Sequence, residues 1–148
     1  MTKTYRSGCV EDTENIGARF AEELNEKYPD ALRFIKLEGP LGAGKTAFTR
    51  GVASVLSPGS RVKSPSYTIV NEYRLGDRPL FHFDLYRLGE GADLSDIGFG
   101  EYVDGGDCII EWSEYLSCGE PDGAITVKIS PNDDGTRTVE IIYPEDCE

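Results

Sequence analysis

Between Glu38 and Gly51 the chain reads EGPLGAGKTAFTRG, and Gly39, Gly44, Lys45 and Thr46 within it carry the spacing GxxxxGK[ST]. Glycines accept backbone angles that a side chain obstructs, so successive N–H groups can turn inward and surround an anion. A lysine directly behind them can reach the outer phosphates of a nucleotide, and a threonine hydroxyl can bind magnesium. The segment Pro40, Leu41, Gly42, Ala43, Gly44, Lys45 and Thr46 therefore reads as a phosphate-binding loop. Such a loop does not choose a reaction. Phosphoryl chemistry also needs a carboxylate for the metal and a group that orients the attacking atom.

Two acids are candidates for those roles. Glu111 closes the short apolar run CII, the position from which a strand-end acid would hold the metal or its water together with Thr46. Asp84 lies in FHFDLYR, whose alternation sets Phe81, Phe83 and Leu85 on one face and His82, Asp84 and Tyr86 on the other. Asp84 reads either as a catalytic acid or as a strand-end carboxylate paired with Arg87, and His82 either as part of the site or as a satisfied, partly buried imidazole. Trp112 is by default a packing aromatic that could also contact nucleotide or a partner. The run SRVKSPSYT, with Ser64, Ser66 and Thr68 near Arg61 and Lys63, is either a polar loop ahead of a strand or a switch segment that senses the terminal phosphate.

These residues need a scaffold, and the periodicity supplies one. DTENIGARFAEELNEKYPD sets Ile16, Phe20, Leu24 and Tyr28 at helical spacing behind a cap at Asp12 or Thr13, and the helix stops near Pro29. LRFIKLEG is a strand that feeds the glycine loop, and KTAFTRGVASVL is the helix that leaves it. SYTIVNEYR and RPLFHFDLYRL form an antiparallel hairpin with Gly76 and Asp77 near its turn. ADLSDIGFGEYV is a short helix, DCIIEW a buried strand, and AITVKIS with TRTVEIIY a second hairpin around PNDDG.

Composition narrows the function further. The 148 residues fit a single domain, 1–148. No apolar run approaches a membrane span and none follows the first basic residues as a signal peptide would, so the expected location is cytoplasmic, with no membrane partner. Cys9, Cys108, Cys118 and Cys147 are scattered, without a CxxC pair and far from the single histidine, which suggests reduced thiols and no zinc. The net charge of -12 disfavours autonomous nucleic-acid binding and reads either as an acidic surface that recognises a basic partner or, because the acids are spread along the chain, as a device for solvation in salt.

GPLGAGKT, SPSYTIVNEY, FHFDLYRL, DIGFGEY and IIEWSE occur in an order and spacing that resemble the TsaE (YjeE) family, P-loop ATPases of bacterial tRNA threonylcarbamoyladenosine synthesis, over residues 8 to 145. The SPSYT and HFDLYR segments are the diagnostic ones. The resemblance implies an α/β fold: a P-loop NTPase-like sheet with a parallel core and antiparallel hairpins, and helices on both faces. It implies ATP and Mg2+ as cofactors, and TsaB- and TsaD-like partners that transfer a threonylcarbamoyl group to adenosine 37 of tRNA, with tRNA met only through that complex. ATP hydrolysis would support turnover of the complex rather than the transfer. Residue by residue, the resemblance implies phosphate binding at 40–46, magnesium at Thr46 and Glu111, an acid needed for hydrolysis at Asp84 and a switch-like role for SPSYT. It also brings Asp12, Thr13 and Arg137 close to the nucleotide. Two alternatives share a P-loop. A small-molecule kinase would need an arginine-rich lid, which is not evident; a nucleotide-dependent adaptor without catalysis is opposed by the intact Lys45, Thr46, Asp84 and Glu111.

Overall fold

The computed structural model describes residues 1–65 and 67–144. Seven strands, β1 (Thr2–Ser7), β2 (Phe34–Glu38), β3 (Val70–Tyr73), β4 (Leu80–Asp84), β5 (Asp107–Glu111), β6 (Ile125–Pro131) and β7 (Arg137–Ile142), form one sheet in the order β1-β7-β6-β2-β5-β4-β3. β6, β2, β5 and β4 run parallel to their neighbours, and β3 and β7 pair antiparallel at the flanks. This is the α/β arrangement expected, with a parallel core and antiparallel hairpins.

Alternation on the central strands requires cover on both faces. Ile35, Leu37 and Ile109 point towards α1 (Val10–Lys27) and α2 (Lys45–Leu56), where Phe20, Leu24, Phe48 and Val52 complete a core. Phe34, Cys108 and Ile110 point the other way, into a cluster with Phe81, Phe83 and Phe99, the last from α3 (Phe99–Gly105). The two long helices cross at glycines: a Cβ on Gly17 would strike the backbone of Phe48, and one on Gly51 the backbone of Glu14. Among the described residues, no helix is long and apolar enough to cross a membrane.

Several local expectations are corrected. β1 carries no apolar period, since Tyr5 is its one large apolar side chain, yet it pairs with all of β7 as a sheet edge. α1 starts at Val10 with Cys9 as its cap residue, so Asp12 and Thr13 lie inside the first turn. The expected β3–β4 hairpin is present, its connection spans residues 74–79 with Gly76 and Asp77 inside it, and Gly76 makes a close approach to the backbone of Leu56. The stretch 92–103 holds a 3-10 turn, Ser95–Ile97, and then α3, with Gly98 at φ +76 between them. At the end of the sheet away from the glycine loop, Arg33 and Asp107 form a buried bidentate pair at 2.9 and 3.0 Å. The same guanidinium donates to the carbonyls of Leu24 and Tyr28 at 3.1 Å, which fixes the exit of α1 to the start of β5.

Candidate functional site

The site follows from where the parallel strands end. β2 leads directly into the glycine loop, and Gly44 at φ +108 turns the chain into α2. At the start of any helix the first N–H groups have no intrahelical acceptor, so the opening turn of α2, at Lys45, Thr46 and Ala47, offers donors to an anion beside the positive end of the helix dipole. The Lys45 ammonium donates to the carbonyls of Gly39 and Pro40 at 2.6 and 2.9 Å and lies 4.3 Å from the centre of the Trp112 ring. Burial draws the pKa of this lysine below its usual value, against the pull of the Glu111, Glu114 and Asp84 carboxylates.

The two acids come together through register. β4 and β5 run parallel with Asp84 opposite Glu111, and both carboxylates are buried. Thr46 donates to Glu111 at 3.2 Å, which joins the first turn of α2 to the end of β5. Asp84 accepts from Ser64 at 3.1 Å and from the Tyr86 N–H at 3.0 Å, while the Arg87 guanidinium sits over the Tyr67 ring. Of the two readings of Asp84, pairing with Arg87 is thus not the arrangement seen. A cleft of about 330 Å³ is lined by residues 41–47 of the loop and by Ser64, Asp84, Tyr86, Glu111 and Trp112.

The remaining candidates separate. Ser64 enters the cleft; Thr68 donates instead to Asn71 at 3.1 Å, and Ser66 lies outside the described residues. Ile69, a β-branched residue at φ +72, ends this loop and accepts the Asp84 N–H at 2.9 Å, so backbone strain sits next to the acid. Trp112 is also held in the left-handed region, at φ +60, and its ring stacks on Tyr115 and meets Tyr86. Asp12 accepts the Gly8 N–H, and Thr13 shares a 2.7 Å hydrogen bond with Ser7 beside Gly44. Thr13 and Arg137 line a second, smaller cleft of about 180 Å³ behind the loop. Arg137 reaches from β7 to donate to the carbonyls of Ala43 and Gly42, both at 3.0 Å, bracing the loop from behind.

His82 carries more than its sequence reading proposed. It is fully buried, and its Nε2 lies 2.6 Å from Glu111 while Nδ1 lies 2.9 Å from the Tyr73 hydroxyl. The sequence signal was the polar face of β4; the partner on β3 had no signal at all.

The sequence profile described as Threonylcarbamoyl adenosine biosynthesis protein TsaE matches residues 8–139. A tRNA threonylcarbamoyladenosine biosynthesis protein TsaE of Haemophilus influenzae is 39% identical over 128 residues, covering 86% of this chain and 80% of that one. The protein of the same name from Nostoc is 38% identical over 152 residues, covering 99% and 88%. The crystal structure of Bacillus subtilis YdiB superposes with a TM-score of 0.74 at 31% identity, covering 95% of this chain and 84% of that one.

Proposed function

The chain belongs to the TsaE family, and from that premise we propose that it is the ATP-binding and ATP-hydrolysing subunit of a cytoplasmic machinery that makes N6-threonylcarbamoyladenosine at position 37 of tRNA. Its partners are TsaB- and TsaD-like proteins, through which it meets tRNA, and its cofactors are ATP and magnesium. The observation that carries this reading is the convergence of Lys45 and Thr46, at the start of α2, on two neighbouring strand-end carboxylates, Glu111 and Asp84.

The donor set fits magnesium. A threonine hydroxyl and one carboxylate are hard oxygen ligands, and magnesium is usually held by one or two carboxylates with water and substrate phosphate in its other positions. Thr46 and Glu111 would hold it, and when bound it would neutralise charge on the outer phosphates. The loop fits phosphate by the N–H donors of its glycines and of the first turn of α2, and Lys45 would exchange its carbonyl acceptors for phosphate oxygens. Asp84, fixed by Ser64 and the Tyr86 N–H, orients the attacking water and ties the terminal phosphate to the loop that ends at Ile69. Hydrolysis in this assignment supports turnover of the assembly.

The test is calorimetric affinity for magnesium-ATP together with phosphate release, with and without TsaB- and TsaD-like proteins. Trp112, the only tryptophan, gives an independent fluorescence signal from within the cleft. Lys45→Ala is expected to weaken ATP binding far more than the surface change Lys27→Ala, and the partners are expected to accelerate release. Equal effects of the two lysine changes would overturn the assignment of the loop.

A further inference from the structure

The hydrogen bonds around Glu111 form a continuous path through four elements, buried from Tyr73 on β3 through His82 on β4 to Glu111 on β5 and half-buried at Thr46 on α2. Resting on the nucleotide reading above, we propose that His82 is a positioning residue that sets the direction in which the Glu111 carboxylate faces, and through it the geometry of the metal-binding pair with Thr46.

The argument starts from register. His82 stands opposite Ile109, two residues before the pairing of Asp84 with Glu111, and alternation puts His82, Asp84 and Glu111 on the sheet face that α2 covers. The ring therefore lies alongside Glu111 with no route to solvent; its exposure is 0%, against 3% for Glu111 and 7% for Tyr73. A carboxylate oxygen can only accept, so His82 Nε2 carries the proton of the 2.6 Å contact. Nδ1 meets the Tyr73 hydroxyl at 2.9 Å, and that hydroxyl also reaches the Lys63 carbonyl at 3.4 Å. Both ring nitrogens thereby have partners, and the imidazole cannot rotate without losing a hydrogen bond in a dry environment.

The consequence reaches the metal pair. Glu111 has three side-chain torsions, and Thr46 alone, at 3.2 and 3.4 Å from its two oxygens, constrains it weakly. The shorter histidine contact fixes Oε2, which leaves Oε1 to be aimed by the same restraint. A residue behind a metal ligand that fixes its orientation is typically worth tenfold to a hundredfold in metal affinity. A ring that only filled the core would have no such effect, because Leu80 and Ile109 already supply apolar packing on that face.

The experiment measures ATP affinity as a function of magnesium concentration, and also without magnesium, for the full chain and for His82→Leu, His82→Gln and Tyr73→Phe. His82→Leu is expected to raise the magnesium requirement by about tenfold to a hundredfold while leaving magnesium-free affinity near that of the parent protein. His82→Gln, whose amide nitrogen can donate to Glu111, should recover much of the loss, and Tyr73→Phe should fall between. An unchanged magnesium requirement in His82→Leu overturns the proposal, as does an equal loss with and without magnesium. If His82→Leu does not fold, Tyr73→Phe decides: a raised magnesium requirement supports the proposal and a parental one overturns it. A parent protein that fails to bind ATP at all would sink the nucleotide reading itself, one that binds ATP without any dependence on magnesium would sink the metal pair and the role of His82 with it, and a parent that shows the dependence, with variants that share it, sinks only the role of His82.

Discussion

Asp84 and Glu111 are register partners on adjacent parallel strands, yet their carboxylates are held by different parts of the protein. Glu111 is tied to Thr46 and His82, and Asp84 to Ser64 and the turn at Tyr86. The pair is therefore expected to divide its work. Glu111→Ala should weaken magnesium-dependent nucleotide binding together with hydrolysis. Asp84→Ala should retain magnesium-ATP binding and lose about a hundredfold in phosphate release, the scale of a positioned base or orienting group. Calorimetry and partner-stimulated phosphate release on both variants check this. Abolished binding in Asp84→Ala with normal hydrolysis in Glu111→Ala would reverse the roles.

The Arg33–Asp107 pair, with exposures of 5% and 1%, makes a second prediction. Removing one partner leaves the other charge buried and uncompensated, so Asp107→Ala should cost about 3–5 kcal/mol in urea unfolding. Because the pair sits at the end of the sheet away from the glycine loop, the folded fraction should bind ATP normally. A cost below about 1 kcal/mol, the range of exposed pairs, would mean that the buried pair does not hold this end of the sheet.

Burial pushes the Cys108 thiol up to about 12, with Asp107 adding to the effect. Between the ordinary value near 9 and about 12, the unfolded chain releases this proton and the folded chain keeps it. Stability from this group is accordingly present below pH 9 and lost as pH rises through that window. In the native protein at pH 9, iodoacetamide labelling followed by peptide mass spectrometry should modify the exposed Cys9 and Cys118 and spare Cys108. Rapid native labelling of Cys108 would contradict its burial.

The net charge of -12 should make the fold more stable as potassium chloride approaches molar concentrations, because like-charge repulsion is screened within a few ångströms there. For a domain of this size, each 1 kcal/mol gained appears as roughly 2–4 °C in Tm. A melting temperature that stays flat or falls with salt would remove the solvation reading of the acidity.

What the sequence determined by itself is what neighbours along the chain decide. The glycine loop is contiguous, its geometry is set by glycine backbone freedom and a helix start, and Gly39 through Thr46 could be read at once. Glu111 was legible because an apolar run ending in an acid marks a buried strand and its exit. Ile16, Phe20 and Leu24 showed their buried face through helical spacing alone. The remainder depends on pairings that no local pattern encodes. β1 was invisible because an edge strand held by β7 needs backbone partners rather than an apolar period. Arg137 became a brace for the loop only when β7 was placed beside β6, bringing its guanidinium to Gly42 and Ala43 from 95 and 94 residues away. The Tyr73–His82–Glu111–Thr46 path joins four elements, and its longest step, from Glu111 to Thr46, crosses 65 residues. Side-chain chemistry proposes such partners, but strand order and register decide which of them meet, since a slip of one residue in β4 would turn His82 and Asp84 to the opposite face.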